Sequence, residues 1–179
     1  MRELKRTSNT PRFVPDYLAT SLTEIDFGLL KKRGVQYIAF DADSTLVPSR
    51  GKLLDPATEA FLKKQRPLFK DWCIASNRIT NNLLPLAKAM DAQVIQATIL
   101  IRKPQRRFFV WVMNYFKPAK PQEIAMIGDK LIADMFGAKR AGMTTIWVEK
   151  IGKDNPWDQA LFVRAWEKRL MKSYLKEAE

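Results

Sequence analysis

The segment Val35–Val47, VQYIAFDADSTLV, is the part of the chain that decides the fold we expect. Its opening stretch, Val35–Phe40, is a mostly apolar run that ends directly at Asp41. A run of this kind predicts a strand that is buried on both faces, as in a parallel sheet covered by helices. Asp41 and Asp43 follow at once, so the predicted strand places two carboxylates at its carboxyl end.

Further strands and helices alternate along the rest of the chain. The other segments that predict strands are Asp71–Ala75, Ala92–Gln96, Glu123–Ile127 and Thr144–Val148. The segments with a helical pattern are Pro56–Lys64, Asn81–Met90, Gln105–Phe116 and Lys130–Ala141. This alternation predicts an α/β fold, a doubly wound parallel sheet of about five strands.

The length of 179 residues suits one domain. We expect a single domain over residues 1–179, with a core at about 35–150, an N-terminal lead at 1–34 and a C-terminal helix at about 157–177. That helix mixes aromatic and aliphatic residues with basic ones. It suits an anionic membrane surface. It also suits a helix that packs on the core and leaves a basic face in solvent, which is the norm in soluble domains.

The composition excludes several classes of mechanism. The sequence has no histidine, which excludes triads with a histidine base and zinc sites with histidine ligands. Its single cysteine, Cys73, excludes an internal disulfide and suits a reducing compartment. Acid–base chemistry must therefore rest on carboxylates, lysine or tyrosine. The net charge of +12 favours anionic partners, such as phosphorylated ligands, nucleic acid or anionic lipid.

The sequence also bears on the compartment. The N-terminal segment Met1–Arg12 is polar and basic, without the apolar core of a signal peptide. No run approaches the ~20 apolar residues that cross a bilayer. We therefore expect a cytoplasmic protein that is soluble or peripheral at the membrane.

Three of the predicted strands end in polar residues, Asp41, Ser76 and Asp129. Because the carboxyl ends of parallel strands share one edge of a sheet, we expect these residues to meet. A carboxylate can attack phosphorus, and a second one, here Asp43, can protonate the leaving oxygen and then activate water. Asp129 and Asp134 offer the hard oxygen ligands that suit Mg²⁺. Taken singly, each motif is also compatible with a solvated turn or a helix cap.

The order of these motifs resembles the signature of the haloacid dehalogenase (HAD) superfamily of phosphatases. Its parts are Asp-x-Asp-x-Thr at 41–45, Ser76, Lys103 and Gly-Asp-x-x-x-x-Asp at 128–134. The resemblance implies that Asp41 is the nucleophile, Asp43 the general acid and base, and Ser76 and Lys103 the partners of the phosphoryl group. The implied substrate-binding residues are Thr45, Ser76, Asn77 and Lys103, and the implied Mg²⁺ ligands are Asp41, Asp43 through its backbone carbonyl, Asp129 and Asp134. Relatives tend to carry Asn at the position of Ser44.

The gaps Thr45–Asp71 and Asn77–Arg102 are too short to hold a cap domain, so we expect an open site and a large phosphomonoester substrate. The lead sequence around Phe13–Tyr17 and Leu29–Gly34 resembles the YqeG proteins of subfamily IIIA. Those proteins are similar to the mitochondrial phosphatidylglycerophosphatase, which implies a lipid head group as substrate. Two alternatives stay open: a phosphatase of nucleic-acid ends or phosphoproteins, and a non-catalytic module that binds RNA through its basic surface. The sequence does not fix the oligomeric state.

Overall fold

The computed structural model describes residues 1–4, 10–79, 82–152 and 169, and a seven-stranded sheet organises them. The strands are β1 (Arg2–Glu3), β2 (Tyr17–Ala19), β3 (Tyr37–Phe40), β4 (Asp71–Ser76), β5 (Gln93–Gln96), β6 (Ile124–Gly128) and β7 (Thr144–Val148). Their spatial order is β1-β2-β7-β6-β3-β4-β5. Every neighbouring pair is parallel except β1 with β2. The predicted α/β class with a parallel sheet is confirmed.

Helices connect the parallel strands. They are α1 (Phe27–Lys32), α2 (Pro56–Gln65), α3 (Leu84–Met90), α4 (Arg106–Tyr115), a π-helix at Leu131–Phe136 and α5 (Gly137–Arg140). Short 3-10 turns lie at Leu22–Glu24, Arg66–Leu68 and Pro121–Glu123. In the described part of the chain, none of the helices is long and apolar enough to cross a membrane.

Apolar side chains cover both faces of the sheet and form two cores. In β3, Ile38 and Phe40 belong to one core and Ala39 to the other, because successive strand residues point to opposite faces. The first core contains α1, α2 and α3, and the second contains α4, the π-helix and α5. Burial on both faces explains why the strands are continuous apolar runs in the sequence.

The sheet has two more strands than the five predicted. The additional strands, β1 and β2, are only two and three residues long. Such short segments carry no apolar run or alternation that distinguishes a strand from a loop. β2 is fixed instead by tertiary pairing with β7, through Tyr17 with Ile146 and Ala19 with Val148.

The helix predicted at Lys130–Ala141 is in fact the π-helix followed by α5. The helix predicted from Asn81 begins at Leu84, with Pro85 in its first turn. The other predicted strands and helices are present with boundaries that differ by no more than two residues. The predicted C-terminal helix at 157–177 lies outside the described residues, apart from residue 169.

The order of the strands determines where a ligand can bind. The chain passes from β3 to β4 and β5 on one side, then crosses back so that β6 pairs with β3 on the other side. Ligands of open parallel sheets bind outside the carboxyl ends of the strands at such a reversal. Asp41 and Asp129 lie there, immediately after β3 and β6, and the Asp41 N–H donates to Ile127 O at 2.8 Å.

Candidate active site

A buried cluster of charge lies at this reversal. Lys103 Nζ is 2.5 Å from Asp41 Oδ1 and 2.6 Å from Asp134 Oδ1, and it also donates to Ala75 O at 2.8 Å. All three charged residues are buried. A single lysine therefore binds two carboxylates that are 93 positions apart in the sequence (134 − 41).

Asp129 adds a third carboxylate to the cluster. It is buried, and its Oδ1 accepts a long hydrogen bond of 3.4 Å from Thr45 Oγ1. Asp41, Asp129 and Asp134 each offer an oxygen, and these oxygens all lie within 4.8 Å of one another. Three ionised carboxylates against the one ammonium of Lys103 leave a formal charge of −2 (−3 + 1). The charge and the spacing both fit a divalent cation with oxygen ligands.

The shared burial alters the protonation of the cluster. Burial, opposed by Lys103 and reinforced by Asp134 and Asp129, raises the pKa of Asp41 to about 7. Burial alone would lower the pKa of Lys103, but the carboxylates of Asp134 and Asp41 raise it, so this lysine stays charged. The raised pKa of Asp41 means that burial and the two neighbouring carboxylates outweigh the attraction of Lys103 for the ionised form.

Gly128, the last residue of β6, permits this packing. A Cβ at this position would lie 2.5 Å from Asp134 Oδ2 and 2.6 Å from its Cγ, so only glycine leaves room for the Asp134 carboxylate. Asp134 lies in the π-helix, and its Oδ2 accepts from the Lys130 backbone N–H at 3.1 Å. The wide π-turn and the small Gly128 together allow the Asp134 side chain to lie close to the carboxyl end of β6.

Ser76, the last residue of β4, and Asn77, the residue after it, lie beside the cluster. Ser76 is buried and its Oγ accepts from the Arg78 N–H at 3.1 Å. The Asn77 side chain accepts from Lys103 N at 2.8 Å and donates to Lys103 O at 3.0 Å. The Asn77 amide therefore holds the backbone of Lys103 in place. The predicted contact of Asn77 with the substrate remains a prediction.

Asp43 forms an ion pair that the sequence did not suggest. Its Oδ1 lies 2.5 Å from Arg78 Nη2 and its Oδ2 3.1 Å from Arg78 Nε, and its Oδ1 also accepts from the Arg50 N–H at 2.7 Å. Partial burial opposes ionisation of Asp43, but these hydrogen bonds prevail and hold its pKa below the usual range. In this conformation Asp43 is an ionised carboxylate locked to a guanidinium.

The turn after Asp41 is tight and strained. Ser44 has φ 65°, in the left-handed region that side chains other than Asn and Gly rarely adopt. Its N–H donates to Val47 O at 2.7 Å and its carbonyl accepts from the Ile151 N–H at 2.7 Å. Asn tolerates the left-handed region better than Ser, so an Asn at this position would fit the backbone with less strain.

A cavity of about 140 Å³ opens above the cluster. Its lining residues are Asp41, Asp43, Asn77, Arg78, Lys103, Lys130, Ala133 and Asp134. The gap after Thr45 holds a loop, α2 and a 3-10 turn, and the described part of the gap after Asn77 holds α3 and β5. Both gaps are thus filled by elements of the sheet and its helices, as expected for a site without a cap.

Most of the predicted site residues are brought together. Asp41, Thr45, Lys103, Asp129 and Asp134 form one buried cluster, with Ser76 beside it and Asp43 at the rim of the cavity. Sequence reasoning missed two cations that line the cavity, Arg78 and Lys130. The sequence offered one indication that Arg78 belongs to the site: it lies two residues after Ser76, at the same edge of the sheet.

Comparisons with known proteins agree with this site. Two proteins named glyceraldehyde 3-phosphate phosphatase match over 53 residues, at 42% identity in Pyrococcus furiosus and 40% in Pyrococcus abyssi. Each match covers 30% of this chain and 21% of the relative, so the chain matches about a fifth of the length of these proteins.

A solved structure shows the same fold. A protein from Listeria monocytogenes serotype 4b superposes with a TM-score of 0.55 at 19% identity, over 68% of this chain and 84% of that one. A HAD phosphatase from Thermococcus onnurineus is 26% identical with a TM-score of 0.46, over 57% of this chain and 50% of that one.

The family assignment rests on a longer match. The model of the family described as mitochondrial PGP phosphatase matches residues 3–151, most of the chain. The match spans every element of the sheet from the end of β1 to β7 and every residue of the buried cluster. The chain therefore belongs to the mitochondrial PGP phosphatase family, within the HAD superfamily that the order of its motifs predicts.

Proposed function

We propose that this chain is a Mg²⁺-dependent phosphatase that hydrolyses a phosphomonoester through an aspartyl-phosphate on Asp41. The observation that carries this proposal is the buried cluster in which one lysine faces three carboxylates at the carboxyl end of β3 and β6. Because the cluster carries excess negative charge, an additional cation would favour the binding of a phosphate dianion beside it. Asp41, Asp129 and Asp134 would hold that cation, with the Asp43 backbone carbonyl, and the cation would neutralise charge on the phosphoryl oxygens.

In the first step, an oxygen of Asp41 attacks phosphorus and the bond from phosphorus to the ester oxygen breaks. The leaving oxygen takes a proton from Asp43. In the second step, water attacks the phosphorus of the aspartyl-phosphate and gives a proton to Asp43, and the bond between phosphorus and Asp41 breaks. Lys103 binds Asp41 Oδ1 and leaves Oδ2 for the attack.

Asp43 must carry a proton in the first step, but Arg78 keeps it ionised in the structure described here. We infer that the phosphoryl group of the substrate competes for the Arg78 guanidinium, which lines the same cavity. Loss of the cation from Asp43 would raise the pKa of that carboxyl towards its ordinary value, so that binding of the substrate prepares the acid. Ser76 and Lys103 would bind the remaining phosphoryl oxygens.

The substrate we propose is phosphatidylglycerophosphate or a similar lipid phosphomonoester. The family match supports this choice, as does an open site whose two candidate gaps hold only a loop, helices and a strand. The names of the two Pyrococcus relatives point instead to a small triose phosphate. The matched segment is only 53 residues long, so the names of these relatives do not decide the substrate, and the triose phosphate is included in the test.

The test is phosphate release with and without Mg²⁺ from phosphatidylglycerophosphate in mixed micelles, glyceraldehyde 3-phosphate, a 5′-phosphorylated oligonucleotide, a phosphopeptide and an aryl phosphate. We expect Mg²⁺-dependent release that is fastest on the lipid. Release from the aryl phosphate but not from the lipid would retain the phosphatase and reject the lipid substrate. Absence of release from every substrate, by a folded protein with Mg²⁺, would contradict the proposed activity.

A further inference from the structure

We propose that the loops around the cavity form a membrane-binding rim, in which Ile99 and Leu100 insert into an anionic phospholipid surface. We define the rim as residues 48–54, 77–79, 82–84 and 96–102. The inference deepens the proposed function, because it gives the lipid substrate a route to the cavity, but it rests on a different set of residues.

The tip of the rim is a tight turn with two exposed aliphatic side chains. The Thr98 N–H donates to Ile101 O at 2.9 Å, and the Ile101 N–H donates to Thr98 Oγ1 at 3.0 Å. The turn thereby projects Ile99 and Leu100, each 81% exposed, into the surroundings. Turn tips normally carry Gly, Asn, Asp, Pro or Ser. Two adjacent large aliphatic residues at a tip gain nothing in water and gain burial in a lipid surface.

Other exposed aliphatic residues stand on the neighbouring loops. Ile79 follows β4, Leu53 lies in the loop after β3, and Leu84 begins α3, with exposed fractions of 51%, 70% and 67%. Ile79 lines the same groove as Ile99 and Leu100. All of these residues follow the carboxyl ends of strands, so they lie at the edge of the sheet that holds the cavity.

Hydrogen bonds tie the three loops to one another. Gln96 Nε2 donates to Arg78 O at 2.7 Å, which joins the loop after β5 to the loop after β4. Arg78 Nη1 donates to Gly51 O at 2.8 Å, which joins the loop after β4 to the loop after β3. The aliphatic residues are therefore held by a common frame that also contains Arg78 of the cavity.

The charge of these segments identifies the partner. The rim and the residues 103–107 that follow it contain no aspartate or glutamate. Their exposed cations are Arg50, Lys52, Arg102, Arg106 and Arg107, whereas the side chains of Arg78 and Lys103 are buried in ion pairs with the carboxylates of the site. Aliphatic residues at the tip with basic residues around them match a bilayer with anionic head groups, because the tip enters the acyl region while the cations bind the surface. A protein partner would need no such one-sided charge.

The position of the rim fits the proposed reaction. Asn77 and Arg78 line the cavity, and Ile79, the next residue, belongs to the rim. When the rim is bound to a membrane, the cavity therefore faces the lipid head groups. A lipid phosphate could reach Asp41 without leaving the bilayer, which a substrate with long acyl chains would require.

Insertion can be measured with a single label. The only native thiol, Cys73, is buried, so Leu100→Cys provides one reactive site for an environment-sensitive fluorophore. Leu68→Cys is the matched control, because Leu68 is a partly exposed leucine that precedes β4 at the opposite edge of the sheet. The titrants are vesicles of phosphatidylcholine alone and of phosphatidylcholine with phosphatidylglycerol.

We expect a blue shift of the label at position 100 with the anionic vesicles, weakened by salt, and no shift at position 68. A shift of equal size with phosphatidylcholine alone would overturn the role of the anionic head groups. The absence of any shift at position 100 would overturn the rim. A shift that depends on protein concentration without vesicles would also overturn it, and would identify a second copy as the occupant.

A double variant separates this inference from the proposed activity. We expect Ile99→Ser/Leu100→Ser to lower partition onto anionic vesicles by at least about tenfold, because two aliphatic side chains no longer insert. Release from a soluble aryl phosphate should be unchanged, whereas release from lipid in vesicles should fall in parallel with binding. Unchanged partition would contradict the rim even if every phosphatase assay succeeds. Conversely, vesicle binding by a wild-type protein without phosphatase activity would retain the rim and reject the activity.

Discussion

The two edges of the sheet each hold an aspartate paired with a lysine, but only one pair is balanced. At the amino edge, Asp16 binds Lys139 and accepts from the Thr145 N–H at 2.9 Å and Thr145 Oγ1 at 3.0 Å. One carboxylate there meets one ammonium and neutral donors. At the carboxyl edge, three carboxylates meet the ammonium of Lys103. The balanced pair of Asp16 and Lys139 stabilises the fold without a further ion, whereas the three carboxylates around Lys103 fit an additional cation.

Cavity size does not distinguish the two edges. The cavity at the amino edge is about 750 Å³, against about 140 Å³ at the carboxyl edge. The charged residues that line the cavities sum to zero at both edges. They are Glu3, Asp16, Arg33 and Lys139 in the larger one, and Asp41, Asp43, Asp134, Arg78, Lys103 and Lys130 in the smaller one. The comparison teaches that the three buried carboxylates gathered at the reversal of strand order identify the site, and that neither the volume of a groove nor the summed charge of its lining does.

The largest expected effect comes from removing one carboxylate at each edge. Asp41→Asn should abolish phosphate release, a loss of at least about a thousandfold, because an amide cannot act as the nucleophile. Asp16→Asn should leave the rate per folded molecule nearly unchanged and lower the free energy of unfolding by about 1–3 kcal/mol, since it weakens a partly buried pair. Steady-state assays and denaturant titrations measure both. Comparable loss of activity in the two variants would remove the distinction between the edges.

Gly128→Ala tests whether the packing of Asp134 matters for the cation. The new methyl group would overlap the Asp134 carboxylate, so we expect Mg²⁺ affinity to fall by roughly 10–100-fold, as for other residues that orient metal ligands. Isothermal titration with Mg²⁺ measures the change.

Gly137→Ala is the matched control for that substitution. Its methyl group would overlap the Phe109 ring in the core, away from the carboxylates. This variant should lose stability and keep its Mg²⁺ affinity while it remains folded. Equal affinities in the two glycine variants would show that the position of Asp134 does not limit metal binding.

Arg78→Gln tests the ion pair that holds Asp43. Without the guanidinium, the pKa of Asp43 rises, so the alkaline limb of the pH–rate profile should move to higher pH. KM should rise about tenfold or more, because a charge-assisted contact with the phosphoryl group is lost. Arg78→Lys should be intermediate, since it keeps the charge and loses the fork geometry. An unaltered profile in both variants would exclude Arg78 from the control of Asp43.

The pH dependence of stability tests the imbalance of charge without any substrate. The pKa of Asp41 is about 7 in the folded protein, against 3.8 as its ordinary value. The folded state therefore binds this proton more tightly, and without Mg²⁺ the contribution of Asp41 to the free energy of unfolding falls as the pH rises from about 4 to about 7. The slope from this group is at most about 1.4 kcal/mol per pH unit.

Asp41→Asn isolates that contribution from all other titrating groups. The difference in free energy of unfolding between wild type and variant should change over this pH range without Mg²⁺. Saturating Mg²⁺ should oppose the loss of wild-type stability near neutral pH, because the cation binds the ionised carboxylate. A difference that is constant from pH 4 to pH 7 without Mg²⁺ would contradict the raised pKa of Asp41.

Ser44→Asn should have the smallest effect. The left-handed φ of 65° at Ser44 suits Asn better, so we expect a gain in stability of less than about 1 kcal/mol. Thermal unfolding of the metal-free protein measures it. A loss of stability instead would mean that the buried Ser44 hydroxyl matters more than the backbone conformation.

The long apolar runs made the centre of the sheet predictable. Thr144–Val148 was predicted with its observed bounds because an apolar run follows the Gly142 turn and ends at Glu149. The meeting of Asp41 and Asp129 also followed from the sequence, since polar residues at the ends of neighbouring parallel strands share one edge of the sheet. In contrast, β2 was missed because its three residues become a strand only by pairing with β7.

Details of the site that depend on side-chain direction could not be predicted. The pairing of Arg78 with Asp43 joins two loops 35 positions apart, and no local pattern specifies it. The same holds for the Asn77 amide, whose bonds to Lys103 require that two loops approach each other. The π-turn at Asp134 is likewise invisible to helical periodicity, and so is the close approach of its carboxylate to Gly128.

The most direct test of the central claim is to trap the phosphoryl group on the protein. Asp43→Asn removes the base for the second step, whereas an aryl phosphate with a good leaving group needs no acid in the first. After mixing this variant with the aryl phosphate and Mg²⁺ and quenching in acid, mass spectrometry should find one phosphoryl group on Asp41, absent when Mg²⁺ is chelated. Burst release of the aryl alcohol with no phosphoryl group on Asp41, or with the group on another residue, would contradict the account.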